Sequence, residues 1–185
     1  MKRRLLIVFG VLAVLAMLSS GTLAYYFVDQ PVENVVTADS VKVEIHEKMS
    51  NGEDFPEDGV NVLPGDTVSK IVTFENVGTH PMYLRVKLTK GVNDESLSAE
   101  DCLIMDINTK DWTYREGYYY YNISLDAGEI SKALMTQVHI NGWAVDNAYL
   151  GKKFTLDVTA EAVQSEYNGS SVWEAVGWET VADNS

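Results

Sequence analysis

Near its C-terminal end the chain alternates between apolar and polar residues over nine positions. Phe154, Leu156, Val158, Ala160 and Ala162 are apolar, and the residues between them are polar or charged. Successive side chains of a strand point to opposite faces, so a period of two predicts a strand with one buried face. An amphipathic helix would repeat its apolar positions every three to four residues instead. Such a strand needs a second layer to cover its apolar face, and the rest of the chain has to supply that layer.

Similar short runs recur along the chain, separated by residues typical of turns. The predicted strands contain Val41 to Ile45, Val68 to Phe74, Leu84 to Leu88, Leu103 to Ile107, Trp112 to Tyr114, Tyr118 to Tyr121 and Met135 to Ile140. Turns are predicted at Pro64-Gly65-Asp66, Glu116-Gly117 and Asp126 to Glu129, where Pro fixes φ and Gly accepts a positive φ. Short helical turns are expected near Ser98 and after Ser170. Seven to nine short strands predict an all-β fold, an antiparallel β-sandwich or jelly roll.

The first 24 residues have the pattern of a cleavable signal peptide. Three basic residues at positions 2–4 precede an uncharged apolar run of 14 residues, Leu5 to Leu18. This run is short for a membrane-spanning helix, which needs about 20 residues. Small residues follow it and predict cleavage between Ala24 and Tyr25. The alternative is an uncleaved membrane anchor.

The charge balance argues against nucleic acid as a partner. The chain has 14 Lys and Arg against 27 Asp and Glu, a formal net charge of −13. Removal of residues 1–24 takes away three basic residues and no acidic ones, so the mature chain would carry −16. Binding to a phosphate backbone needs a basic surface. An exported chain with a single cysteine, Cys102, also has to be stable without an intramolecular disulfide.

No motif for catalysis or metal binding is present in the sequence. His46 and Glu47 begin like a helical zinc-protease motif, but Ser50 stands where the second His is needed. Cys102 lacks the local signature of a thiol enzyme and is interpreted as a buried apolar residue. Four carboxylates between residues 53 and 58 match no defined calcium loop and are interpreted as a solvated acidic loop. No catalytic residue, cofactor or metal ligand is assigned.

The run Tyr118 to Tyr121 has two interpretations. Aromatic residues are good strand formers, so the run predicts a strand with two Tyr side chains in the core and two in solvent. The alternative is an aromatic platform for carbohydrate or for another protein.

Four segments, in order along the chain, carry a further pattern. They are Gly21 to Phe27, Val36 to Ile45, Leu63-Pro64-Gly65-Asp66 with Phe74 to Gly78, and Phe154 to Ala162 leading into Tyr167-Asn168-Gly169. In these segments the chain resembles the TasA/camelysin family of Gram-positive exported proteins, and it matches least from residue 91 to 150. The resemblance implies a jelly-roll fold and a secreted protein of the cell surface or biofilm matrix. It also implies a signal peptide processed by a dedicated signal peptidase.

In the fibre-forming members of this family, the segment after the cleavage site is donated to the next subunit as a strand. The resemblance implies that Tyr25-Tyr26-Phe27-Val28 is the donated strand, with residues 25–39 as strand and linker and 40–185 as the jelly-roll domain. Head-to-tail donation does not close on itself and gives a filament. Pro31 cannot donate a ladder hydrogen bond and would end the strand. The expected partners are further copies of the chain or a related matrix subunit.

Two other functions stay open at this stage. Camelysin carries a metalloprotease label within the family, although no zinc-binding motif supports that activity in this sequence. The third hypothesis is a monomeric surface adhesion module that uses Tyr118 to Tyr121 and nearby Trp residues. The leading expectation is a structural subunit that is not an enzyme.

Overall fold

The computed structural model describes residues 25–28 and 41–178, and this part of the chain is almost entirely β-structure. The strands are β1 Tyr25–Val28, β2 Val43–Lys48, β3 Val60–Val62, β4 Thr67–Asn76, β5 Met82–Val92, β6 Leu103–Met105, β7 Trp112–Arg115, β8 Tyr118–Tyr121, β9 Met135–Ile140 and β10 Lys153–Gln164. A 3-10 turn at Asn147–Tyr149 precedes β10. The predicted all-β sandwich is confirmed. Within the described ranges, no helix is long and apolar enough to cross a membrane.

The strands form two sheets. One has six strands in the order β3-β1-β10-β5-β8-β7, and the other has four in the order β2-β4-β9-β6. Neighbouring strands are antiparallel except β1 and β10, which run parallel. The sequence did not predict β3, because its three residues are too few to show an alternation. Most strands of the two sheets are therefore predicted by the apolar and polar alternation of their own residues.

The core lies between the sheets and follows the alternation of β10. Its five alternating apolar side chains, from Phe154 to Ala162, are each at most 2% exposed. Val72 and Phe74 of β4 are fully buried in the same cluster. Alternation along one strand of each sheet thus produces one continuous apolar layer.

A charged residue, Lys70, interrupts the apolar face of β4. Its side chain is fully buried, and its Nζ donates a hydrogen bond of 2.8 Å to Oε2 of Glu47 on β2. The ammonium also lies 4.3 Å from the ring centroid of Phe55. A buried charge is tolerated where a carboxylate and an aromatic face replace its hydration.

The tyrosine run departs from its expected placement. Tyr119 and Tyr121 of β8 pack towards the main core, but Tyr120 on the opposite face is only 7% exposed. The prediction of two Tyr side chains in solvent is therefore wrong. Tyr120 packs in a second apolar cluster with Tyr83, Val163 and Val172. A segment far along the sequence covers this face, which alternation within β8 cannot indicate.

That covering segment is not the helix expected after Ser170. Residues 171–174 form an isolated turn between Gly169 and Gly177, which have φ values of 85° and 87°. The backbone N–H and the hydroxyl of Ser170 both donate to Glu174 Oε2, at 2.9 and 2.8 Å. These hydrogen bonds from Ser170 to the Glu174 side chain stabilise a loop. A helix confined to this short segment would have too few turns to be stable.

Asn76, at the end of β4, is a buried hydrogen-bonding centre. Its Nδ2 donates to the carbonyls of His80 and Leu125, at 2.8 and 2.9 Å, and its Oδ1 accepts from Gly78 N–H at 3.0 Å. Asn76→Ala leaves these backbone groups unsatisfied and is expected to lower the free energy of unfolding by about 1–3 kcal/mol. Urea denaturation measures this loss. The matched control is Asn51→Ala at an exposed loop position, and an equal loss in both variants would contradict the prediction.

Candidate functional site: the slot for the N-terminal strand

β1 is the strand that the resemblance implies is donated, and it lies inside the six-stranded sheet of its own chain. It runs parallel to β10 on one side and antiparallel to β3 on the other. The register pairs are Tyr26 with Lys153, Phe27 with Phe154 and Val28 with Thr155 on the β10 side, and Tyr25 with Val62, Tyr26 with Asn61 and Phe27 with Val60 on the β3 side. The four-residue strand is therefore paired on both edges.

β1 is also the connection between β3 and the rest of that sheet. The strand order places β3 beyond β1, at the sheet edge. Neighbouring strands lie about 4.8 Å apart, so β3 and β10 are separated by about 10 Å, the width of one inserted strand. Removal of β1 would leave a slot whose two walls carry unpaired backbone N–H and C=O groups.

The walls of this slot are anchored in the core. Phe154 is fully buried and Val62 is 2% exposed. β10 is paired with β5 along its whole length, whereas among the described residues its other edge has a strand partner only at residues 153–155. After β3, Gly65 N–H donates to the carbonyl of Ile140 in the opposite sheet at 2.8 Å. Both walls are therefore held by contacts that do not involve β1.

A loop fixes the start of β10 at the slot. Asn93 and Lys153 exchange two hydrogen bonds, from Asn93 N–H to the Lys153 carbonyl at 3.0 Å and from Lys153 N–H to Asn93 Oδ1 at 2.8 Å. Next to them, Lys152 Nζ donates to Asp94 Oδ2 at 2.6 Å. Hydrogen bonds from Lys152 and Ser96 lower the pKa of Asp94 to about 2.

The lowered pKa of Asp94 predicts acid sensitivity of this loop. A carboxyl group whose folded-state pKa is depressed contributes stability above its unfolded pKa and loses it as the pH falls towards the folded value. The free energy of unfolding is thus expected to fall between pH 4 and about 2 in part through Asp94. Asp94→Asn should flatten this dependence in thermal unfolding scans at stepwise pH. The exposed Asp54→Asn is the control, and an equal flattening there would refute the assignment.

Several expected features of the N-terminal region lie outside the described residues. Ala24 is one of them, as are Pro31 and the rest of the segment 29–40. Tyr25 is described through its backbone as the first residue of β1. By sequence, 12 residues, Asp29 to Ser40, connect β1 to the body. An extended segment of that length spans up to about 40 Å.

The other candidate residues of the sequence stand apart from the slot. His46 Nε2 lies 2.8 Å from Glu75 Oε2 on the four-stranded sheet, and Cys102 is buried at 1% exposure. The carboxylates at positions 53, 54, 57 and 58 are exposed, as expected for a solvated loop. In residues 25–28 and 41–178, no group of three or more His, Cys, Asp or Glu is arranged to hold a metal ion.

The outer face of the six-stranded sheet carries a feature that the sequence did not predict. Arg85 is stacked on Tyr118, with its guanidinium carbon 4.0 Å from the ring centroid, and lies 4.8 Å from the centroid of Trp178. Its Nε donates to Glu161 Oε2 at 2.7 Å. Glu161 is 1% exposed although it lies on the polar face of β10. Burial alone would lower the pKa of Arg85, but hydrogen bonds to the Tyr120 hydroxyl and to the Glu161 carboxylate outweigh it, and the pKa is raised.

In the sequence, this group of residues on the outer face is indicated only by the alternation at Glu161 and by the Trp residues near the C-terminus. Neither signal shows that residues 83, 85, 118, 120, 161 and 178 lie together.

In comparisons with protein-family models and with curated proteins, no match to this chain was found.

Proposed function

We propose that this chain is an exported structural subunit of the cell surface or biofilm matrix, of the TasA/camelysin type. We further propose that it polymerises by exchanging its N-terminal strand. The observation that carries the proposal is the position of β1, a four-residue strand at the start of the predicted mature chain that fills a slot between β3 and β10.

Exchange of β1 between copies preserves its contacts. The strand pairs with β3 and β10 through backbone hydrogen bonds, and a copy of the strand from another chain can make the same bonds. The 12-residue connection between β1 and Val41 supplies the length needed for the strand to leave its own body. Because donor strand and acceptor slot are different surfaces, each added subunit brings a new slot and the polymer stays open-ended.

Removal of the signal peptide would determine when this assembly can begin. Before cleavage, Tyr25 is joined to Ala24 and to the apolar run of residues 5–18. A neighbour's slot would have to accommodate that extension beyond the strand. Cleavage between Ala24 and Tyr25 frees the strand at its N-terminal end, so polymerisation would follow export.

The first experiment compares two purified chains by electron microscopy and size-exclusion chromatography. The chain beginning at Tyr25 is expected to form filaments, and the chain beginning at Pro31 is expected to stay monomeric because it lacks the donor strand. Addition of the peptide Tyr25 to Gln30 to the shorter chain should fill its slot and raise its melting temperature without producing filaments. This rescue shows whether the shorter chain is folded.

A cysteine pair distinguishes strand exchange from self-insertion. Phe27 and Val60 are opposite each other in the antiparallel register, where Cα atoms are about 4.5–5.5 Å apart and a disulfide can form. In a Cys102→Ser background, Phe27→Cys with Val60→Cys should give a ladder of covalent oligomers under oxidation. The control pair Glu44→Cys and Glu75→Cys, opposite each other in β2 and β4, should give only intrachain bonds.

Two results would overturn this proposal. Filaments from the chain beginning at Pro31 would place assembly at another surface. A Phe27–Val60 disulfide confined to single chains, in a preparation that forms filaments, would show that β1 stays in its own sheet.

A further inference from the structure

A cleft lies on the outer face of the six-stranded sheet, between the β7–β8 hairpin and the segment 170–178. Its volume is about 200 Å³. Pockets for drug-sized ligands are about 300–1,000 Å³, so this cleft fits a ligand of roughly one ring. It is lined by Arg85, Arg115, Glu116, Tyr120, Val172, Trp173, Ala175 and Trp178.

Aromatic rings form one part of this cleft. Tyr120 is at its centre, with the ring centroid of Trp173 at 5.1 Å and that of Trp178 at 5.9 Å. Tyr120 is buried, but Trp173 is 41% exposed although its ring contacts that of Tyr120. An indole held in place by its neighbours and open to solvent offers a rigid apolar face to a flat partner.

A charged pair lies beside the aromatic rings. Arg115 Nε donates to Glu116 Oε1 at 3.2 Å, and the Arg115 guanidinium carbon lies 5.9 Å from the ring centroid of Trp173. Both side chains are more than half exposed. A guanidinium offers several N–H donors and a carboxylate offers only acceptors, so donors and acceptors lie together next to the indole.

Glu116 has a backbone conformation that is unusual for a residue with a long side chain. Glu116 and Gly117 have φ values of 52° and 87°, as in the two-residue hairpin turn that favours Asn, Asp or Gly at its first central position. Glutamate pays a steric penalty in this left-handed region and contributes nothing to the turn geometry. A Gly at this position would suit the turn but would lack the carboxylate that Glu116 places at the cleft.

We propose that this cleft binds one pyranose ring of a neutral glycan. A pyranose has an apolar C–H face that fits an indole, and hydroxyl groups that both donate and accept hydrogen bonds. Trp173 would contact the face, Arg115 would donate to ring hydroxyls and Glu116 would accept from them. The formal net charge of −13 opposes approach of an anionic polymer, which favours a neutral ligand.

Arg85 acts as a positioning residue in this site. Its guanidinium is held by Glu161 and by the rings of Tyr118 and Trp178, and its side chain is 12% exposed. It therefore fixes Trp178 against the sheet. The floor of the cleft is preorganised before a ligand arrives, which reduces the ordering that binding requires.

The test uses the chain beginning at Pro31 with the peptide Tyr25 to Gln30 added, which is expected to be folded and monomeric. The probes are the methyl glycosides of glucose, galactose, mannose and N-acetylglucosamine, with glucuronate as an anionic comparison. Binding is followed by NMR of the indole N–H signals. The chain has four Trp residues, so Trp112 and Trp143 serve as internal references for Trp173 and Trp178. One of the probes is expected to shift the latter two signals with a dissociation constant on the order of 1 mM, as a one-ring ligand allows.

Variants locate the binding. Trp173→Ala and Glu116→Gly are expected to weaken it at least 10-fold, a loss of about 1.4 kcal/mol. Glu116→Gly should keep or raise the melting temperature, because Gly suits the left-handed turn. Trp143→Ala is the matched control, since Trp143 is fully exposed and does not line the cleft. Trp143→Ala should bind the glycoside with the same dissociation constant as the unchanged protein.

Four outcomes would overturn the proposal. They are no shift with any of the four glycosides, shifts with glucuronate alone, equal losses in Trp143→Ala and Trp173→Ala, and shifts that appear only after deletion of residues 179–185. The last result would assign the cleft to the chain's own C-terminal segment. The tested chain lacks its covalent donor strand, so none of these results depends on whether the mature chain forms filaments.

Discussion

Trp112→Ala is expected to lower the free energy of unfolding by about 3–5 kcal/mol, the range for removal of a buried Trp side chain. Trp112 is 1% exposed and is the largest fully buried side chain of residues 41–178. Its ring lies 5.4 Å from Phe74 and 4.9 Å from Tyr121, measured between centroids. It therefore packs across the two sheets, and its loss leaves a cavity that neither sheet can fill.

Part of this expected loss comes from one hydrogen bond. The indole Nε1 of Trp112 donates to the carbonyl of Lys132 at 3.1 Å. Trp112→Phe keeps an aromatic ring but loses this bond. The free energy of unfolding should therefore fall clearly less in Trp112→Phe than in Trp112→Ala. Chemical denaturation measures both variants. Trp143→Ala, at a fully exposed position, should change stability by less than about 0.5 kcal/mol. A similar effect at positions 112 and 143 would contradict the packing of Trp112 between the two sheets.

Glu47→Ala is the second substitution with a large expected effect, about 3–5 kcal/mol of destabilisation. It removes the carboxylate that pairs with the fully buried ammonium of Lys70 at 2.8 Å. Burial of a charge without its counter-ion is costly, because the interior cannot replace the lost hydration. Glu47 Oε1 is itself buried without a hydrogen-bond partner, so the pair is imperfectly satisfied even in the native protein.

The double variant Lys70→Met with Glu47→Met tests this explanation. Apolar residues of similar volume can replace a buried ion pair at little or no loss of stability, so the double variant should be more stable than Glu47→Ala. Urea denaturation of Glu47→Met, Lys70→Met and the double variant gives the coupling free energy of the pair. The exposed pair of Lys48 and Asp54, 3.7 Å apart, is the control, and Asp54→Ala should change stability by at most about 1 kcal/mol. Additive effects at positions 47 and 70 would be evidence against a coupled pair.

Alternation was sufficient to predict most strands and the fold class. Met135–Ile140 has the bounds that the sequence predicts, and the Glu116-Gly117 turn joins β7 to β8 as expected. These features depend on residues close together in the sequence, where side-chain period and turn chemistry act directly. The segment Tyr25-Tyr26-Phe27-Val28, expected as a strand from the family resemblance, is a strand in this structure. Whether it is donated to a neighbour stays a prediction.

Tertiary structure decided which polar-face residues are buried and where β1 is paired. Tyr120 and Glu161 occupy positions that alternation assigns to solvent, yet both are buried. The segment 170–178 packs on Tyr120, and Glu161 is paired with Arg85, which lies over the ring of Trp178. β3 has too few residues to be recognised and becomes a strand by pairing with β1. Period-two patterning specifies which face of a strand is apolar. It contains no information about a distant segment that covers the other face, because that contact depends on how the two sheets and their loops pack.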